Sequence, residues 1–167
     1  MSLIGDILRS YRAPRAVMRK HLARGRREDR ALVWLLSACL LIFVAQRPRL
    51  ALQAQLDDEI PFAGMMAGAL FGWLFLAPLI FYALAGLVHL GRRMAGQRAG
   101  DGYAARLVIF WSLLAVTPLW MLHGLLAGAL GPGVVTMVAG LGVLAVFVAF
   151  VATGLREAVL EPPAASA

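Results

Sequence analysis

Residues 107–155 contain no Asp, Glu, Lys or Arg. A soluble domain has to wet its surface, so an uncharged run of this length has no place in one, whereas a bilayer requires it. The remaining charge is clustered to match: residues 1–30 hold nine of the sixteen basic groups. Apolar residues fill 61% of the 167 positions and charged residues 15%, against roughly 45–50% and about 25% in soluble domains. The chain is expected to be an integral membrane protein: all-α, polytopic, a bundle of membrane-crossing helices.

Four uncharged apolar runs divide it further, at 31–46, 62–90, 107–130 and 134–155. A helix needs about 20 residues to cross some 30 Å of hydrocarbon. The first run, of 16 residues, is therefore short, and Arg30 and Arg47 are expected to snorkel around it. The second, of 29 residues, is long enough to tilt or kink. Pro78 is its expected kink, and a fifth, re-entrant passage would fit only at its start. Pro118 repeats the design in the third run, where Ser112 and Thr117 stand close enough to satisfy the carbonyl that a proline leaves without a donor. Gly131-Pro132-Gly133 reads as a tight turn joining runs three and four.

Basic residues across the five connecting and terminal segments number 9, 2, 4, 0 and 1. Lys and Arg resist translocation, so this alternation predicts an even number of spans with both termini cytoplasmic. Fifteen arginines against the single Lys20 associate the chain with a GC-rich bacterial genome, hence with a bacterial inner membrane. No cleavable signal peptide is expected at the N-terminus.

The basic leader, residues 1–30, places Leu3, Ile4, Ile7, Leu8 and Tyr11, then Val17, Met18 and Leu22, at helical spacing. Arg9, Arg12, Arg15, Arg19, Lys20, Arg24, Arg26 and Arg27 fall opposite. This is the make-up of an amphipathic helix lying at the membrane interface, broken at Pro14, its cations on anionic headgroups. Headgroups suit it better than nucleic acid, which is not expected as a partner: no aromatic platform is present beyond Tyr11. Residues 31–155 then form the bundle and 156–167 a short cytoplasmic tail.

Gly64, Gly68 and Gly72 make a small-residue strip in the second run, and Gly124 and Gly128 a pair in the third. Both are expected to be helix-packing positions, within the bundle or between copies. Chemistry is harder to find. The lone Cys39 excludes an intramolecular disulfide, no H-E-x-x-H spacing occurs, and neither a paired aspartate nor any other acidic residue lies in runs two to four, so neither an enzyme nor a proton pump is expected. His89 and His123 could ligate a haem or chlorophyll, but membrane histidines more commonly hydrogen-bond across a bundle, as His123 could to Thr117 or Thr153. No cofactor is expected.

The order of features, a lead-in containing Pro14-Arg15-Ala16-Val17, a Gly-rich loop Gly96-Gln97-Arg98-Ala99-Gly100-Asp101-Gly102-Tyr103, and a helix with Thr117-Pro118, resembles the bacterial branch of the Yip domain family of multi-pass membrane proteins, over about residues 8–155. That family is usually described with five spans, against four counted here. The resemblance implies a scaffold without catalytic residues, which organises or assists other membrane proteins or shapes lipid. Two other classes stay open: a permease-like or lipid-handling protein gated by Pro78 and Pro118, and a pigment- or haem-binding accessory subunit using His89 or His123.

Overall fold

A computed structural model of the chain describes residues 3–56, 60–96 and 102–160. All regular structure within them is helical. Two short helices, α1 (Leu3–Ser10) and α2 (Pro14–Leu22), lead into four helical runs long and apolar enough to cross a membrane: Glu28–Leu56, Phe62–Met94, Gly102–Leu130 and Val134–Leu160. The fold is the expected all-α bundle, with four such helices.

The first run is longer than its uncharged stretch. It consists of α3 (Glu28–Ala45) and α4 (Arg47–Leu56), offset at Gln46, whose N–H donates to the Phe43 carbonyl at 3.1 Å before the ladder restarts from Leu50 to Gln46. Pro48 falls in the first turn of α4, where a missing N–H costs nothing. Arg47 and Arg49 thus ride on a helix that continues beyond the apolar segment, so the helix itself is long enough to cross although its uncharged stretch is 16 residues.

The second run comprises α5 (Phe62–Phe71), a π segment (Gly72–Leu76) and α6 (Ala77–Met94). Pro78 sits in the first turn of α6, and the wide turn before it, in which the Ala77 N–H reaches the Gly72 carbonyl, takes up the disruption that a proline causes in an α-helical ladder. In α7 (Gly102–Leu130) the solution is different: the Thr117 hydroxyl donates to the Leu114 carbonyl at 2.8 Å, the acceptor that Pro118 leaves without its donor. Ser112, expected to share that task, is buried with no hydrogen-bond partner among the described residues. Gly131, at φ +70°, ends α7 in the left-handed conformation that favours glycine, and α8 (Val134–Leu160) returns antiparallel.

α7 is the axis of the molecule. Every residue from 103 to 117 except Arg106 is buried, and α1, α2, α3, α4, α6 and α8 all pack on it. The second run, by contrast, lies at the edge: α5 and the π segment contribute no buried residue, and α6 only Ala77 and Ala85.

Candidate functional site

Pro14 divides the basic leader as expected, but the two halves behave differently. α2 buries Val17, Met18 and Leu22 against α7 and α8, so its apolar face enters protein rather than lipid. α1 does the reverse, leaving Leu3, Ile4 and Leu8 outward and turning Asp6, Ile7 and Ser10 inward. All seven arginines expected on headgroups, Arg9, Arg12, Arg15, Arg19, Arg24, Arg26 and Arg27, are exposed. Several meet the chain's own carboxylates: Arg15 and Arg19 lie 3.7 and 3.5 Å from Glu157, Arg26 3.7 Å from Glu28, and Arg27 3.1 Å from Asp29. Glu157 is buried, in a helical turn of α8 where a free tail was expected; residues 161–167 of that tail lie outside the described residues.

Lys20 is the exception among the eight cations. It is partly buried, and its ammonium donates to both carboxylate oxygens of Asp6, at 2.6 and 2.7 Å. Beside this pair lies His21, 1% exposed, with its Nε2 3.7 Å from Asp6 Oδ2. Its ring stands 4.2 Å from Trp111 and 4.8 Å from Trp34, centroid to centroid, and the two indoles are 4.8 Å apart. Neither imidazole nitrogen has a hydrogen-bond partner among the described residues. Burial pushes His21 down to about 4, against the opposing pull of Asp6 and with the help of Arg24, Lys20 and Arg30, so the ring is neutral at pH 7. Burial also works to raise Asp6, but the Lys20 bond, with His21 and Arg24 nearby, outweighs it and holds the carboxyl below its usual range.

Hydroxyls fasten this cluster to α7. Ser10 Oγ donates to the Asp6 carbonyl at 2.9 Å and accepts from Trp111 Nε1 at 3.3 Å, while Tyr11 donates to the Ala115 carbonyl at 2.7 Å. Glu28 and Arg106 join α3 to α7 at the same end. His21 was not among the sequence candidates, because it stands in a run of cations. Its signal is positional: Val17, Met18, His21 and Leu22 share one helix face.

The two glycine motifs separate. A Cβ at Gly124 would strike the Ala45 carbonyl, and one at Gly128 would strike Pro48, so this pair admits the α3–α4 joint against α7, as expected. No such contact exists for the other strip. Among the described residues nothing comes within 4 Å of a Cβ at Gly68 or Gly72, and Gly64 meets only Ile60 and Pro61 next to it. Gly64, Gly68 and Gly72 therefore form an open ridge among the described residues, and the packing within the bundle expected of them is not found there.

The candidate ligands His89 and His123 stand at opposite ends of the bundle. His89 lies against Gly102, where α7 begins, and His123 near its far end donates from Nε2 to the Thr136 carbonyl at 3.1 Å. The partner of His123 is thus neither Thr117 nor Thr153, whose hydroxyls bond within their own helices. Pro78 and Pro118 sit on adjoining helices. Ring contacts of Trp73 with Trp120 (6.0 Å) and Tyr82 with Phe110 (4.8 Å) bracket them, and that register offsets the prolines by about one helical turn.

No family model, curated protein or solved structure matches the chain. The four apolar helices are those of a membrane protein.

Proposed function

We propose that the chain is a non-enzymatic membrane organiser: a four-span protein of a bacterial inner membrane, Yip-like in arrangement, that holds a membrane assembly together through the open face of its second span. The observation that carries this reading is the contrast between the two glycine motifs. In α7 the spacing admits a neighbouring backbone, Ala45 and Pro48; in α5 and the start of the π segment the same spacing recurs with no other helix among the described residues upon it. Small-residue strips let membrane helices approach closely, and α5 has no buried residue that would give its strip an internal task. Either a second copy or another membrane protein suits such a ridge. Both termini are read as cytoplasmic, supported by the loop-charge alternation and by the contact of Arg15 and Arg19 in α2 with Glu157 near the end of α8. The Yip-like order rests on residues 14–17, 96–103 and 117–118, of which 97–101 lie outside the described residues.

The test is purification in mild detergent with chemical crosslinking and mass-spectrometric readout. Wild-type protein is expected to yield an oligomer or a co-purifying membrane protein. Gly68→Leu with Gly72→Leu should abolish that product while leaving thermal stability within about 0.5 kcal/mol, since none of the described residues lies against the added Cβ atoms. A monodisperse wild-type monomer with no partner would remove the reading.

A further inference from the structure

At the end of the bundle that carries the Gly131-Pro132-Gly133 turn, α4, α7 and α8 part to form a cleft of about 750 Å³. A smaller chamber of about 310 Å³ continues from it, and Arg49, His123 and Ala127 line both. The helix contacts give the order of depth. Pro48 lies against Gly128 and Leu52 against Gly131, so Arg49 is about one turn inside the helix ends. His123 lies about 7 Å further along α7, and Trp73 and Trp120 line the smaller chamber beyond.

The lining is mostly apolar, with a few polar side chains set into it. Arg49 lines both spaces, Gln53 the larger and Gln46 the smaller; the walls of the larger include Leu52, Val134 and Met137, and those of the smaller Trp73 and Trp120. A wholly polar solute would leave the apolar walls without a partner. An amphiphile would find one for each of its parts. Arg49 is exposed and makes no ion pair among the described residues, and a guanidinium beside an apolar channel is a planar, permanently charged fork matched to phosphate oxygens. His123 is held by its bond to the Thr136 carbonyl and serves as a fixed wall at the neck.

We propose that this cleft binds an anionic phospholipid, with the phosphate on Arg49 and Gln53 and an acyl chain passing His123 towards Trp73 and Trp120. The site is independent of the glycine ridge and of what that ridge binds.

The indoles supply the readout. Trp34 and Trp111 are buried at the opposite end of the molecule, so quenching by lipids brominated on the acyl chain reports on Trp73 and Trp120. In nanodiscs, brominated phosphatidylglycerol is expected to quench at lower mole fraction than brominated phosphatidylcholine, with a preference of about fivefold, the size of one partly exposed charge pair. Arg49→Gln should abolish the preference, Arg49→Lys retain part of it, and Arg47→Gln, which alters a cation outside the cleft, leave it intact. Equal quenching by the two lipids in wild-type protein would overturn the proposal, as would a preference that survives Arg49→Gln. Inorganic phosphate that releases the brominated lipid at equal concentration would overturn it too, by making the site one for a free anion.

Discussion

His21 is held neutral between two indoles, and this gives the protein a calculable sensitivity to acid. Its native pKa of about 4 lies below the ordinary 6.5. Between those values the unfolded chain takes up a proton that the native ring refuses, so stability falls as pH falls across that window. The loss reaches at most about 3 kcal/mol by pH 4. Asp6 adds its own loss only below its ordinary 3.8, because its native carboxyl is held lower. Thermal unfolding of detergent-solubilised protein from pH 7 to 4 should show this slope, and His21→Phe should flatten it; an unchanged slope would mean that other groups cause the loss. The apolar face shared with Val17, Met18 and Leu22 was the single local sign that His21 is buried, and it did not show what surrounds the ring. The flanking cations suggested a solvated face, and the two tryptophans come from residues 34 and 111, which only the tertiary fold brings together.

Among the elements, α7 carries the most constrained contacts. Gly124 faces a backbone carbonyl rather than a movable side chain, so Gly124→Leu is expected to cost at least about 3 kcal/mol, read as lost thermal stability and lost monodisperse yield. Gly68→Leu, the same substitution on α5, should be close to neutral. The spacing in sequence is identical, and which strip is used internally could not be read from it, because GxxxG states that a backbone can approach and not whose. Element boundaries divide in a similar way. The starts at Phe62 and Val134 and the end at Leu130 were legible because Pro61 and Gly131-Pro132-Gly133 mark them chemically. The opposite ends were not: the helices run on through Arg92 and Arg93, Arg106, and Arg156. A change from apolar to charged residues marks where hydrocarbon ends, and a helix need not stop there. Thr117 was legible as the partner of the carbonyl freed by Pro118 because both reside on one helix; the π segment before Pro78 was not, since a kink and a wide turn accommodate the same missing donor.

For the whole molecule, the charge pattern makes a prediction that does not depend on packing. Reporter fusions after Gln55 and Gly131 should read as external, and fusions after Gln97 and Ala164 as cytoplasmic; an internal signal at Gln55 would overturn the four-span topology. The leader has a larger part than its composition suggested, since α2 closes over α7 and α8 and only α1 presents an apolar face outward. The central position of α7 also bears on how the protein is made. Synthesis proceeds from the N-terminus, and the helix that α1, α2, α3, α4 and α6 all contact begins only at Gly102. When the first two spans have entered the bilayer, the face of Trp34 that Trp111 will cover still meets lipid or an insertion partner. Assembly therefore waits for the third span, and any pause in translation before it leaves a half-protein with its future core exposed.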